Sequence, residues 1–210
     1  MKTLLILLAL ATPLFSLNPR NDSFSGKIVL ANTFTDLKGK DITESKISFF
    51  GRENNYFIND SNYKAYNEKN ELLYLYNCAS NIYYSCDRNE KTAEKVNAET
   101  ITAKKIKIKP LSDKETICGY ECSSIEEKTE YGTTIYFFTP LISINKANYA
   151  KHEYGEWNSC LNATNGAVPL KIVYTDKKYG YIWTCKAKEV VKMNLTNRDF
   201  IFPDDIKIKN

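Results

Sequence analysis

Histidine is almost missing from this chain: one, His152, occurs in 210 residues. That excludes metal centres built from several imidazoles, and the cysteines form no C-x-x-C pair of the kind that holds zinc. There is no Gly-rich phosphate loop, no G-x-S-x-G turn and no H-E-x-x-H helix. An excess of one charge is missing too, with 29 basic against 25 acidic residues. The densest lysine stretch, 104–109, alternates Lys with Ile and reads as the wet face of a strand, so no nucleic-acid partner is expected. His152 lies between Lys151 and Glu153 and reads as an exposed residue, not a catalytic base. Glu126-Glu127 and Asp204-Asp205 are neighbours in sequence, and neighbours on a strand point to opposite faces. No catalytic residue, metal or cofactor is assigned. A hydrolase would have to assemble its carboxylates from distant strands.

Long apolar runs are equally scarce. The one near the start follows Met1-Lys2, covers 4–10 and leads to the small residues Ala9 and Ala11, the pattern of a secretory signal. It is shorter than the roughly 20 residues that span a bilayer. The expectation is a signal peptide at 1–16, one β-rich domain at 17–210, no transmembrane segment and a periplasmic or extracellular home. In an exported chain the six cysteines, Cys78, Cys86, Cys118, Cys122, Cys160 and Cys185, are disulfide candidates. On one strand Cys118 and Cys122 would stand about 13 Å apart at ~3.3 Å per residue. A bridge needs Cα atoms within about 7 Å, so these two should pair elsewhere unless the strand breaks at Gly119. Cys78 with Cys86 and Cys160 with Cys185 are the candidate pairs.

Aromatic residues are what the chain has in quantity: 15 Tyr, 10 Phe and 2 Trp. Alternating or β-branched runs at 26–35, 44–50, 56–58, 63–66, 72–76, 82–86, 115–128, 133–139, 168–174 and 181–195 are separated by Gly, Asn and Asp turns. Last strands are expected at 200–202 and 206–208, and a short helix or lid at 147–163. The fold class is mainly β and antiparallel. From Tyr181 the odd positions Trp183, Cys185, Ala187 and Val191 share a face, with Glu189 as the one interruption. If that face lines a cavity, Tyr136, Tyr181, Trp183, Ala187 and Val191 are the candidate ligand-binding residues. Tyrosine fits a half-buried pleated surface equally well, so a closed core is the other reading.

Three ordered stretches resemble one pattern. Lys114-Glu115-Thr116-Ile117-Cys118-Gly119-Tyr120-Glu121-Cys122 resembles K-T-I-x-G-Y-x-C, Gly166-Ala167-Val168-Pro169-Leu170-Lys171 resembles G-x-P-L-K, and Phe200-Ile201-Phe202-Pro203-Asp204-Asp205 resembles F-x-I-P-x-D/G-Y. All three belong to exported bacterial proteins of unknown function related to LolA. The departures are Cys118, where that pattern has a small residue, and Asp205-Ile206 in place of the closing aromatic. The resemblance implies a single curved antiparallel sheet, an open half-barrel, with a helical or loop lid across its hollow. In the LolA branch the hollow holds the acyl chains of lipoproteins. The implied partner is a lipid or lipidated protein. A sheet face that meets an envelope protein is the alternative.

Overall fold

The computed structural model describes residues 23–209. The expected signal peptide lies outside the described residues. One open sheet of twelve strands carries the fold, in the order β12-β6-β5-β4-β3-β2-β1-β11-β10-β9-β8-β7. The first half supplies β1 (Gly26–Asp36), helix α1 (Thr43–Phe50), β2 (Glu53–Ile58), β3 (Asn62–Asn67), β4 (Leu72–Asn77), β5 (Ile82–Asp87) and β6 (Thr92–Asn97). The second supplies β7 (Lys105–Ile117), β8 (Tyr120–Thr129), β9 (Gly132–Ser143), α2 (Trp157–Ala163), β10 (Ala167–Asp176), β11 (Tyr181–Lys192) and β12 (Lys207–Lys209). Most neighbours are hairpins. Asn70 and Asn81, both at positive φ, close β3–β4 and β4–β5, as asparagine tolerates the left-handed region. The long-range joint is β1, which pairs with β2 on one side and with β11 on the other.

Several expectations change. The stretch at 44–50 is a helix. Residues 26–31 of β1 pair with β2 on this side, so after the Thr35↔Asp41 bridge the segment has no strand partner and satisfies its backbone internally. The long strand at 115–128 is a hairpin that turns at Cys118-Gly119, where φ is 51° and 82°. β6 is present where none was expected, because its pattern TAEKVN is mostly polar. Instead of a strand at 200–202, a 3-10 turn covers Asn197–Phe200, started by a capping box between Thr196 and Asp199. It buries Phe200 against the outer face of β3, with Lys64 Nζ 5.9 Å from the ring.

The interruption at Glu189 has a cause. Val29 stands opposite Glu189 and Leu30 opposite Ala187, so Lys188 is the extra residue of a β-bulge. The alternation flips there, and Val190 packs on the core in place of Val191. Pro169 sits where the β10–β11 ladder has not yet begun, since that pairing starts at Lys171. Its missing N–H therefore costs no bond there.

No disulfide joins the cysteines in this structure, where all six are free. Cys78 follows β4 in the turn that begins at Asn77↔Ile82, while Cys86 lies four residues further along β5. That is about 13 Å of strand, too far to bridge. Cys118 is exposed at the β7–β8 turn and Cys122 is buried beside it. Cys160 comes from α2 and Cys185 from β11, with no bond between them.

Candidate functional site

Between β9 and β10 the chain leaves the sheet and crosses its inner face. This lid holds two 3-10 turns, Lys146–Tyr149 and Tyr154–Glu156, and then α2. Its attachments are specific. Tyr149 donates from Oη to the Asn59 carbonyl at 3.1 Å, and the Ala98 carbonyl accepts the N–H groups of Glu153 and Tyr154 at 2.7 and 2.9 Å. Ser159 on α2 donates to Glu127 Oε1 at 2.6 Å. Gly155 and Glu156 both take left-handed backbone, which turns the chain into α2.

His152 is the anchor of the lid. The exposed surface histidine expected from sequence is instead 0% exposed, because Lys151 and Glu153 take the wet side. Its Nε2 lies 2.7 Å from Tyr63 Oη, and its ring centroid 4.1 Å from that of Tyr76. Nδ1 has no partner among the described residues. Burial holds its pKa down at about 4, so the ring is neutral in the fold. Tyr63 is itself buried, stacked on Tyr76 at 5.2 Å and Trp157 at 4.7 Å.

Beside this packed cluster the lid stands away from the sheet and leaves a cavity of about 490 Å³. Its sheet wall includes Leu30, Tyr56, Tyr74, Tyr83, Ile172 and Trp183. Trp157 and Cys160 close the lid side. Thr102, Tyr131 and Glu156 also line the cavity. No Lys or Arg among the described residues lines it. The size and the mostly apolar lining with a few hydroxyls suit a small amphipathic molecule. Tyr56 is 4% exposed, and its hydroxyl has no partner among the described residues.

Glu126 and Glu127 do point apart. Glu126 pairs with Lys109 and Lys128 on the outside, at 3.3 and 3.5 Å. Glu127 is buried, accepts from Tyr136 Oη at 3.1 Å and Ser159, and has no ion pair among the described residues. Two hydroxyls thus hold a buried carboxylate and tie α2 to β8 and β9. Ser159→Ala leaves that carboxylate short of a donor and is expected to cost about 2 kcal/mol, as for a hydrogen bond to a charged group. Urea unfolding checks this, and an unchanged midpoint would mean that the bond does not hold the lid.

Of the five residues expected on the binding face, Tyr136 and Trp183 line the cavity. Trp183 is held by its Nε1, which donates to Asn32 Oδ1 at 2.9 Å. Tyr181 does not line the cavity; its ring lies 6.0 Å from Phe34 and 6.4 Å from Tyr174 between centroids. Ala187 belongs to the closed core, and Val191 lies beyond the bulge. Sequence reading missed Tyr56, Trp157 and the lid contacts of His152. The helix-or-lid expectation at 147–163 was the one signal that pointed to them.

No family model matches the chain, and no curated protein matches it. Solved structures do. PNGF-II in its P21 crystal form is similar at 14% identity and a TM-score of 0.51, over 89% of this chain and 31% of that one. The chain thus spans about a third of the length of PNGF-II. An uncharacterized conserved protein from Thermus thermophilus is similar at 9% identity and TM-score 0.47, over 90% and 91% of the two chains. The LolA superfamily protein NE2245 from Nitrosomonas europaea follows at 10% identity and TM-score 0.38, over 86% and 91%. At these identities the likeness concerns the fold alone. The open, mainly antiparallel sheet with a lid across it, expected from the sequence, is the fold that this chain has.

Proposed function

We propose that this chain is an exported binding protein that holds one apolar or amphipathic molecule, a lipid or the lipid of a lipidated protein, between its lid and its sheet. The observation that supports this reading is the cavity of about 490 Å³ lined by Tyr, Trp and aliphatic side chains, with no Lys or Arg in its lining among the described residues. Aromatic rings supply apolar area there, and their hydroxyls supply orientation. Tyr136 and Trp183 are the proposed contacts from the sheet, with Trp157 from the lid.

A dansylated fatty acid gives the direct test. The protein should enhance its emission saturably, and Ile172→Trp, which fills the cavity from β10, should weaken binding about tenfold or more, a change of about 1.4 kcal/mol. Native mass spectrometry of protein purified from its host should show the bound molecule. No saturable binding, or equal affinity in the filled variant, would remove the cavity as the site.

A further inference from the structure

The aromatic residues that the sequence has in quantity converge on the cavity: eight tyrosines and two tryptophans line it. Tyr74, Tyr83, Tyr174 and Trp183 come from the sheet, and Tyr154 and Trp157 from the lid. Between those last two, Gly155 and Glu156 take φ of 66° and 58°, and Glu156 joins the lining. It is the one charged side chain there among the described residues. Its Oε1 accepts from Thr102 at 2.9 Å, and a carboxylate keeps its charge in such a bond.

Two further carboxylates stand behind lining rings. Tyr136 donates to Glu127 Oε2 at 3.1 Å, and Tyr174 to Asp176 Oδ2 at 3.4 Å. Glu127 and Asp176 are 1 and 6% exposed. A phenol that donates to a carboxylate becomes more electron-rich, which strengthens the pull of its ring face on a cation. The chain's own cations stand elsewhere. Lys177 and Lys178 follow Asp176 in sequence and are exposed, outside the lining. Lys46, Lys171 and Lys178 lie 4.9, 4.7 and 5.0 Å over Tyr181, Phe137 and Tyr179, rings that do not line the cavity. Among the described residues no ammonium lies over a ring that does.

An ammonium within about 6 Å of a ring centroid is drawn to the ring face, and more strongly where water is excluded. An anionic head in the same place meets carboxylates and no opposite charge in the lining among the described residues. We propose, on the cavity reading above, that the molecule held there carries an ammonium head, seated among the rings beside Glu156, with its chain on Leu30, Val168 and Ile172. An uncharged chain needs only apolar area, and the carboxylates behind Tyr136 and Tyr174 give it nothing.

Isothermal titration below the micelle concentration tests it with ligands of one chain length and different heads. Dodecyltrimethylammonium should bind about tenfold more tightly than dodecanol or dodecanoate, at a single site that Ile172→Trp weakens. Tyr174→Leu should weaken the ammonium about fivefold. Tyr174→Phe keeps the ring and should keep most of the affinity, and dodecanol should change little in either variant. Glu156→Gln should narrow the gap between ammonium and dodecanol. An unchanged far-UV spectrum checks that the variants fold. Dodecanol or dodecanoate bound as tightly as the ammonium overturns the ammonium head and leaves the cavity reading in place. So does a loss in Tyr174→Leu that is equal for ammonium and dodecanol. No binding of any of the three removes the cavity reading and the proposal with it. Dodecylphosphocholine separates the sources: binding as tight as the ammonium's assigns a choline lipid, and exclusion by its phosphate assigns a free alkylammonium.

Discussion

Acidification from pH 6.5 to pH 4 should cost this fold about 3 kcal/mol through His152 alone. Burial lowers the pKa of this ring from 6.5 to about 4, so between those values the folded imidazole stays neutral. The unfolded one takes up a proton over the same window. Stability rises with pH wherever the unfolded state binds more protons. The contribution of His152 is therefore complete above about pH 6.5 and falls away as pH drops toward 4, at about 1.4 kcal/mol per unit. Below that the ring charges in place, beside Tyr76 and with no acceptor for Nδ1 among the described residues. Urea unfolding at stepped pH should show this slope in the native chain and lose it in His152→Gln. Carboxylates titrate equally in both proteins, so the difference isolates the histidine. Parallel profiles would mean that His152 is solvated. Because His152 anchors the lid, the loss should appear first at 146–163 in hydrogen exchange.

Tyr63→Ala should be more damaging, at about 4 kcal/mol, the usual cost of removing a fully buried aromatic ring. Tyr63 is 1% exposed and stacks between Tyr76 and Trp157. Its hydroxyl meets His152, so the truncation opens a cavity and also strips the lid of its partner. Tyr63→Phe keeps the stack and loses only the bond, which should cost about 1–2 kcal/mol. The pair of variants separates packing from hydrogen bonding by denaturation midpoint. If Phe is as harmful as Ala, the bond and not the stack holds the cluster. If both are harmless, the lid does not rest on Tyr63.

Much of the sheet is legible in the sequence because strands that bury one face must alternate. The runs that became β1–β5 and β9–β11 do so. The failures have separate physical causes. Residues 44–50 carry Ile and Phe as a strand would, but β2 pairs with residues 26–31 of β1 and leaves them no strand partner. The Cys118-Gly119 turn hides inside a run that reads as one strand, although Ile117 pairs with Tyr120 and the inward positions change from odd to even across it. At Lys188 the bulge reverses parity, so Val191, expected inside, gives way to Val190. His152 was misjudged from its charged neighbours, although an irregular segment can turn one residue inward and the next outward. Alternation identified the face that bears Tyr136 and Trp183. It could not tell whether the lid touches that face, as at Tyr63, or leaves a cavity beside it, as at Trp183.

The position of β1 also sets an order of events. Trp183 is tied to Asn32 across 151 residues of sequence, whereas most other neighbours in the sheet are joined by short turns. The two meanders, β2–β6 and β7–β11, can therefore zip from local contacts, and the seam between them waits on the slowest loop closure. During synthesis β1 emerges first and obtains its second partner only when residues 181–192 have appeared. Until then the growing chain lacks its central joint, and the cavity, whose wall draws on both halves, does not exist. A chain truncated before β11 should thus hold hairpins but no binding site.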